Sequence, residues 1–550
     1  MGLDWRQLAW SVLVIMIVAS TCGALVFRRG AARKAGFLVL AVCAAIALVS
    51  WTHFGELHSI YVDNDVGVVG PRRAKTERHQ PLQFHEFFHY YIGAKYFGQL
   101  GYSGLYDCTA LADREIADED RTPPRIGPWV RDLDDVLSDN ATPVAMKRCA
   151  DGPRAHFTDA RWASFKHDIR ELARLAPDGW WNDLIYDAGF NPPPSWVVTG
   201  GAIANAIPIR IGAFPSYLVS TSLDMVLLIA CFFALRRSFG ATAAVLATVY
   251  FGASFIASYM WNGGAFLRFT WLSAVIFALC ALKRERWMLA GALFGVAACD
   301  RLFPAGFAVG AMIPIALHAR DSVPHRLILK RFAVGFASCI AVLVVASLVV
   351  FGIDAWRVFF MRILRHGDIY YTMHIGLKKV LTYREWVPSQ NFQGHDGLIN
   401  FKHWNIRLRD TWAGARLWAL PIQLAFVAAT SFAARRRPPY EAALLWGVMF
   451  MFVFNIPANY YYVVLVVVPA LLFRAAAVAT DEAERMRSYI ALCAFNAFWM
   501  FTLVASRLSN DVLVYNFYLC VMFTVMLCIW IGTWIAGSMP GTAAPASRYR

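Results

Sequence analysis

The stretch AVGFASCIAVLVVASLVVFG, residues 333–352, has no charged side chain in twenty positions. A helix of about twenty apolar residues crosses the ~30 Å hydrocarbon core of a bilayer, because each helical residue rises about 1.5 Å. The whole chain has a similar bias: 58% of its 550 residues are hydrophobic and 16% are charged. Soluble domains have roughly 45–50% apolar and about 25% charged residues. The sequence therefore predicts an all-α polytopic membrane protein.

Thirteen apolar segments are predicted to cross the membrane, and short basic clusters separate many of them. Cytoplasmic loops carry an excess of Lys and Arg, so the clusters at 28–34, 283–286 and 435–437 are placed inside. The N-terminus then lies outside and the C-terminus inside. The predicted spans cover residues 8–27, 36–54, 214–235, 241–259, 265–282, 287–299, 303–318, 333–352, 415–433, 440–456, 460–478, 489–507 and 514–536.

This topology divides the chain into five parts. They are two N-terminal spans (1–54), a first external segment with juxtamembrane helices (55–213), a bundle of spans (214–352), a second external segment (353–414) and a C-terminal bundle (415–550). The apolar stretch 192–208 has about 13 residues between prolines, and a span needs about 20. It is therefore predicted to lie at the outer interface or to re-enter from it. The first apolar run is expected to be retained as a span, because Asp4 offsets Arg6 and the run is long for a signal peptide.

The net charge of +15 does not indicate a nucleic-acid partner. Many of the basic residues lie in short clusters between apolar runs, where they act as topology signals. The partner that this distribution indicates is the lipid bilayer, whose anionic headgroups attract such clusters.

Two of the eleven cysteines, Cys108 and Cys149, lie outside the predicted spans, and both are in the first external segment. Disulfides form in oxidising compartments such as the outer face of a membrane. The sequence therefore predicts a disulfide between them.

The first external segment also contains QFHEFFHYYIGAKYFGQLGYSGLYDC, residues 83–108. On an α-helix, His89 shares a face with both His85 and Glu86. A carboxylate set among aromatic residues can act as a general base, and the histidines can orient it. Two alternatives stay open: a structural helix with its aromatics on the membrane face, and a zinc site, since HEFFH matches the HExxH pattern and needs one more ligand.

The order of motifs resembles the GT-C class of membrane glycosyltransferases, and most closely the polyprenol-phosphate-mannose-dependent family, glycosyltransferase family 87. Members of that family show an acidic residue and Phe, then Tyr and Ala, then G-x-LY with an acidic residue, and later a proline motif before an apolar helix. The family's aspartate is Glu86 here, and its Tyr before the prolines is Asn191. The matching positions are Glu86, Phe87, Tyr90, Ala94, 104–107, 192–194 and Pro208.

The resemblance implies a sugar donor linked to polyprenyl phosphate and a glycan, glycolipid or protein acceptor. It also implies a carboxylate base outside the membrane, here Glu86 with His85 and His89 beside it, and inversion at the anomeric carbon. The protein would be a bacterial inner-membrane enzyme with its site facing the periplasm. Rival bases are Asp63 and Asp65 in YVDNDVG, which also have the oxygen ligands that a divalent cation takes.

A cationic side chain is expected to stabilise the charge that develops on the leaving phosphate. Arg301 stands where the family often has a basic residue before a proline, and Arg268 follows the predicted external turn WNGG (261–264). Arg365 lies in the aromatic and basic stretch of the second external segment. Arg suits this role because its planar fork donates bidentate hydrogen bonds to phosphate.

Sugar or acceptor binding is assigned to residues with hydrogen-bonding tips and stacking faces. These candidates are Asn262, Asn459, Tyr460 and Tyr461. An aromatic belt at the membrane interface is the alternative for the tyrosines. Two other functions stay open for the chain as a whole: a transporter or flippase of lipid-linked glycans, and a zinc-dependent membrane hydrolase.

Overall fold

The computed structural model describes residues 5–27, 31–63, 75–176, 184–209, 214–320, 322–384, 387–392, 394–509 and 511–538. Within these ranges, eight helices are long and apolar enough to cross a membrane. The one at 459–478 begins as a 3₁₀ helix, Asn459–Val467, and continues as the α-helix Val468–Val478. The other seven are Trp5–Phe27, Ala31–Trp51, Phe214–Phe239, Val323–His366, Gly394–Ala434, Glu482–Leu508 and Val512–Ala536.

Five shorter apolar helices complete the bundle. They are Ala241–Gly252, Thr270–Lys283, Trp287–Asp300, Ala305–Ala319 and Pro439–Phe454. Each overlaps one of the predicted spans, but none reaches the ~20 residues that a straight crossing needs. The all-α membrane class is therefore shown, whereas the count of thirteen crossings stays a prediction.

Small residues allow the helices of the bundle to approach closely. A Cβ on Gly291 would lie 2.1 Å from the carbonyl oxygen of Phe332, and a Cβ on Gly335 would lie 2.0 Å from that of Met288. Trp287–Asp300 and Val323–His366 therefore pack backbone against backbone. In lipid such close packing replaces the hydrophobic effect as the force between helices.

The second external segment is more helical than its predicted bounds suggest. Val323–His366 continues past residue 352, where Gly352 adopts φ 74° and kinks the helix. Gly394–Ala434 already begins within the segment. Between them lie the helix Leu377–Thr382 and the 3₁₀ turn Ser389–Phe392.

The first external segment forms a folded unit of short helices and two small hairpins. The hairpins pair His58–Asp63 with Lys75–Gln80, and Trp129–Arg131 with Asp139–Ala141, both antiparallel. Cys108 and Cys149 form a disulfide, the pair that the sequence singles out. The remaining helices near this segment are His53–Gly55, Phe84–Phe87, Phe88–Ile92, Gly93–Lys95, Phe97–Leu100, Gly104–Asp120, Thr142–Asp151, Pro153–His156, Asp159–Leu175, Pro194–Ala206 and Tyr259–Asn262.

The alternative with a structural helix placed the aromatics after Gln83 on the membrane face. In the structure these side chains are buried within the protein. Phe87, Phe88 and Tyr91 are at most 1% exposed. The ring of Phe87 lies edge-on to Tyr217 at 4.8 Å and near Phe266 at 6.1 Å. These aromatics therefore pack against other parts of the chain, and the helix carrying Glu86 is held inside the external unit.

Candidate active site

Glu86 is positioned by the turn that starts its helix. The side-chain oxygen of Gln83 accepts hydrogen bonds from the backbone N–H groups of His85 (3.0 Å) and Glu86 (3.3 Å). Such a cap satisfies donors that have no partner within the helix. The N–H of Gln83 in turn donates to the carbonyl of Gly264 at 3.0 Å. The start of the Glu86 helix is thus fixed to the loop that leads to Arg268.

Gly264 makes this contact possible. It has φ +71°, a conformation that suits glycine. A Cβ at this position would lie 1.5 Å from the carbonyl oxygen of Pro81. The same carbonyl accepts a hydrogen bond from the hydroxyl of Tyr259 at 2.8 Å. The two loops therefore dock on each other through a contact that leaves no room for a side chain.

Arg268 forms an ion pair with Glu86, with Nη1 2.5 Å from Oε2. Its Nη1 also lies 3.2 Å from the hydroxyl of Tyr90. The guanidinium is buried, with 3% of the residue exposed. The backbone N–H groups of Arg268 and Phe269 donate to the carboxylate of Asp224, at 2.7 and 3.0 Å. Asp224 thus holds the chain just before the helix Thr270–Lys283 and aims Arg268 at Glu86.

Arg301 reaches the same place from the end of Trp287–Asp300. Its Nη1 donates to the carboxylate of Asp300 at 3.0 Å, and that carboxylate also accepts a hydrogen bond from Thr270. The guanidinium carbon of Arg301 lies 5.2 Å from the ring centre of Tyr90, and that of Arg268 lies 5.6 Å from it. Both cations therefore lie within cation–π distance of the Tyr90 ring.

Tyr460 and Tyr461 complete the group. Their ring centres lie 4.1 and 5.1 Å from the guanidinium carbon of Arg268. Asn459 lies just before them, and its backbone N–H donates to the carbonyl of Met373 in the second external segment at 2.9 Å. We call the following six residues the arginine–tyrosine cluster: Glu86, Tyr90, Arg268, Arg301, Tyr460 and Tyr461.

Several buried polar atoms around this cluster make no hydrogen bond of ordinary geometry within the described residues. They include Nη2 of Arg268, Nη2 of Arg301 and both amide atoms of the fully buried Asn459. A buried polar group without a partner costs roughly 1–3 kcal/mol, and more when it is charged. Such groups are expected at a site whose ligand completes the bonding.

The sequence predicted five of these six residues as site residues, and the fold brings those five together although they are far apart in the chain. Two other predicted residues make different contacts. The amide nitrogen of Asn262 donates to the carbonyl of Ile256 at 3.1 Å. Arg365 is exposed, and its Nη1 donates to the carbonyl of Asp134 at 3.1 Å, so it is bound to the first external segment instead of the cluster.

The two rival bases, Asp63 and Asp65, lie at the edge of a described range or beyond it. Asp63 ends the strand His58–Asp63, opposite Lys75. Its side chain lies outside the described residues, as does the whole of Asp65.

His89 is held in a different network from Glu86. Its Nδ1 lies 2.7 Å from the carbonyl oxygen of His85 and donates to it, so Nε2 is left to accept a hydrogen bond from the hydroxyl of Tyr106 at 2.6 Å. The Tyr106 oxygen also accepts the N–H of Gly189 at 3.2 Å. Burial lowers the pKa of His89 to about 3, and the neighbouring His85 acts in the same direction. His89 is therefore a neutral imidazole near pH 7.

Asp187 is a neighbour of the histidines that sequence reasoning missed. Its Oδ2 lies 3.7 Å from Nε2 of His85. The partial loss of water around Asp187 acts to raise its pKa, yet His85 and His89 hold the pKa below its ordinary value. We call His85, His89 and Asp187 the histidine–aspartate cluster. Nothing in the sequence joins Asp187 to residues about one hundred positions earlier, and only its place shortly before the motif NPPP marks it.

The stretch HEFFH thus splits into two groups. In a zinc peptidase the glutamate of HExxH acts beside the metal that its two histidines hold. Here Glu86 instead points to Arg268, while His85 and His89 approach Asp187. The residues 88–92 also form a π-turn, so the helix is not the regular α-helix of that motif.

Asp224 and Asp300 were also not predicted as site residues. The available signal was a carboxylate within or at the end of an apolar run, which is rare in membrane helices and marks a pairing or functional position. Their partners, Arg268 and Thr270, lie too far along the chain to be identified from spacing.

Comparison with known proteins gives no relative: no protein-family model, no curated protein and no solved structure matches the chain.

Proposed function

We propose that the chain is a membrane glycosyltransferase of the GT-C type that transfers a sugar from a polyprenyl-phosphate donor to an acceptor hydroxyl. The observation that carries the proposal is the arginine–tyrosine cluster, in which two buried guanidiniums each keep Nη2 without a hydrogen bond of ordinary geometry beside a carboxylate. The proposal thus agrees with the motif resemblance and rests on contacts that do not depend on it.

The two guanidiniums suit a phosphate. Each uses Nη1 on a carboxylate, Arg268 on Glu86 and Arg301 on Asp300, and keeps Nη2 for a ligand. Guanidinium–phosphate hydrogen bonds are charge-assisted and about twice as strong as neutral ones. In a buried site they act in a low dielectric, which strengthens them further. The expected ligand is the phosphate that joins the sugar to the lipid.

Glu86 is the proposed base. Its carboxylate accepts the proton of an acceptor hydroxyl, whose oxygen bonds to the anomeric carbon while the bond from that carbon to the phosphate oxygen breaks. The polyprenyl phosphate leaves with the electron pair, and its negative charge is stabilised by Arg268 and Arg301. Attack from the side opposite the leaving group inverts the anomeric carbon. Tyr460 and Tyr461 offer ring faces to the sugar.

The membrane arrangement belongs to the same proposal. All thirteen apolar segments cross, the N-terminus lies outside, and the cluster faces the outside of a bacterial inner membrane. A reporter fused after residue 550 is then expected to be cytoplasmic, and one inserted near residue 151 to be external. The opposite result for either reporter would contradict this topology.

Comparative mass analysis of glycans and glycolipids tests the proposed function. Cells with and without the gene are compared, and the deletion is complemented with wild type, Glu86→Gln or the control Glu119→Gln. Glu119 is half-exposed and pairs with Lys166 and Arg170 on the outside of the external unit. We expect one sugar-bearing product to be absent in the deletion and in Glu86→Gln, and present with wild type and Glu119→Gln. If Glu86→Gln restored the product, Glu86 would not be the base.

A further inference from the structure

We propose that the histidine–aspartate cluster binds a divalent transition-metal ion with the ligand preferences of Zn²⁺. The protein ligands are Nε2 of His85, Nε2 of His89 and the carboxylate of Asp187. This site is separate from the arginine–tyrosine cluster, and it carries none of the hydrolytic chemistry of an HExxH peptidase. It goes beyond the proposed function and does not depend on it.

The spacing of the ligand atoms favours a shared ion. One ligand atom from each residue lies within 4.8 Å of the other two. One of these separations, 3.7 Å between His85 Nε2 and Asp187 Oδ2, is already close to the ~3.3–3.6 Å between ligands in a tetrahedral site with bonds of about 2.0–2.2 Å. His85 and Asp187 are partly exposed, at 33% and 40% of their side chains. Rotation of these two side chains closes the remaining distance.

The hydrogen bonds of His89 prepare it for this role. Its Nδ1–H is held by the carbonyl of His85, which leaves the lone pair on Nε2. Metal-binding histidines usually donate their other ring N–H to a carbonyl or carboxylate, which fixes the tautomer and the ring orientation. The rings of His85 and His89 lie 4.7 Å apart at 59° to each other, so their nitrogens can converge on one point.

The hydroxyl of Tyr106 occupies the position next to Nε2 of His89. An ion bound by His89 takes the lone pair that now accepts this hydroxyl proton. Tyr106 is fully buried, and the N–H of Gly189 also holds its oxygen at 3.2 Å. For an ion to bind Nε2 of His89, the Tyr106 oxygen must move from 2.6 Å to about 3.3–3.6 Å from that nitrogen, and it can then provide the fourth contact of a tetrahedral N₂O₂ site. Two imidazoles, a carboxylate and a phenol oxygen form a donor set that suits Zn²⁺ better than Mg²⁺ or Ca²⁺.

The ion would connect two parts of the external unit. His85 and His89 flank Glu86 in sequence, and Asp187 lies just before the prolines that lead into Pro194–Ala206. Binding would fix the helix that carries Glu86 against this segment without entering the phosphate site. The ion is thus assigned a positioning role.

Metal binding to the purified full-length protein in detergent tests this inference. The protein is stripped with a chelator, dialysed against Zn²⁺ and measured by elemental analysis, and its affinity is determined by competition with a chromophoric chelator. Co²⁺ serves as a second probe, because tetrahedral coordination gives it strong visible absorption. The variants are His85→Ala and Asp187→Asn, which change partly exposed side chains, and the control is His156→Ala, an exposed histidine in the same external unit.

We expect one Zn²⁺ per chain and a tetrahedral Co²⁺ spectrum for wild type and for His156→Ala. Both ligand variants should weaken the affinity by about 100-fold or more. An adventitious ion only, retained equally in His85→Ala and Asp187→Asn, or wild type without bound metal, would overturn the inference. Glu86→Gln should keep the metal while losing sugar transfer, so failure of the metal site and failure of the proposed function give different results.

Discussion

Arg268 shows how one side chain can define a site inside a membrane protein. A buried guanidinium is costly unless it is paired, and Arg268 is paired with Glu86 on one nitrogen only. Its Nη2 can donate to an anion, while the rings of Tyr460 and Tyr461 lie against the cation itself. Charge, burial and incomplete bonding therefore meet at this residue, which the sequence had already indicated as a candidate phosphate ligand.

The coupling between Glu86 and Arg268 can be measured by a double-mutant cycle. Arg268→Gln leaves the carboxylate of Glu86 in a largely buried position without its partner, and we expect it to lower the unfolding free energy by about 3–5 kcal/mol. Glu86→Gln/Arg268→Gln removes both charges and should recover part of that loss. Thermal unfolding of the purified variants provides the comparison. Strictly additive shifts would show that the two residues do not interact.

The pH dependence of stability is expected to report on Asp107, beside the disulfide. Burial raises the pKa of Asp107 to about 7, although its Oδ2 lies 3.1 Å from Nε of Arg148, because Arg148 is shared with Asp132 and Asp134. In the unfolded chain the carboxyl has its ordinary pKa of 3.8. Between about pH 4 and 7 the folded state therefore binds more protons than the unfolded state, and this group lowers stability as pH rises.

Asp107→Asn removes that contribution while it keeps an oxygen for Arg148. We expect the stability of the variant relative to wild type to increase from pH 5 to pH 8, by an amount on the order of 1–4 kcal/mol. The melting temperatures at the two pH values provide the measurement, and Asp151→Asn, an exposed carboxylate paired with Lys147, is the control. If the melting temperature changed between pH 5 and pH 8 by the same amount in Asp107→Asn as in wild type, the assignment would be contradicted.

At the scale of the elements, the apolar helices were predictable and the contacts between loops were not. An apolar run such as 333–352 determines its own structure, because a membrane helix satisfies its backbone bonds within the segment. The extension of Val323–His366 beyond Gly352 was missed, since charged residues follow and the helix continues by packing Trp356 and Phe359 into the external unit. The contact of Gly264 with Pro81 joins positions far apart in the chain, so no local pattern identifies it.

Gly264→Ala tests whether the loop contact positions the site. The added Cβ would overlap the carbonyl of Pro81, and φ +71° disfavours an L-residue. We expect a loss of stability of roughly 2 kcal/mol or more and a loss of the sugar-bearing product, because the docking of the Glu86 helix against Arg268 changes. Gly414→Ala, in a helix with no atom within 4 Å of the added carbon, should change neither. A fully active and stable Gly264→Ala would show that this contact does not set the site.

In the whole molecule, five of the predicted site residues lie together, although a sequence contains no distances between them. Separate signals predicted these residues: motif order, charge near apolar runs, and aromatic side chains with hydrogen-bonding groups. The residues are Glu86, Arg268, Arg301 and the tyrosine pair. Their convergence required four separate chain segments, around residues 86, 268, 301 and 460, to pack together. The sequence could not provide Asp187, Asp224 or the split of HEFFH into two clusters, because those depend on side-chain direction within the folded external unit.

Binding of polyprenyl phosphate to the purified protein tests the central claim most directly. A ligand that binds only the folded state raises the melting temperature, so polyprenyl phosphate is compared with the uncharged polyprenol on wild type, Glu86→Gln and Arg301→Gln. We predict a rise with the phosphate alone, kept in Glu86→Gln and lost or reduced at least tenfold in affinity in Arg301→Gln. Equal stabilisation by the polyprenol, or full affinity in Arg301→Gln, would contradict the assignment of the arginine–tyrosine cluster to a lipid phosphate.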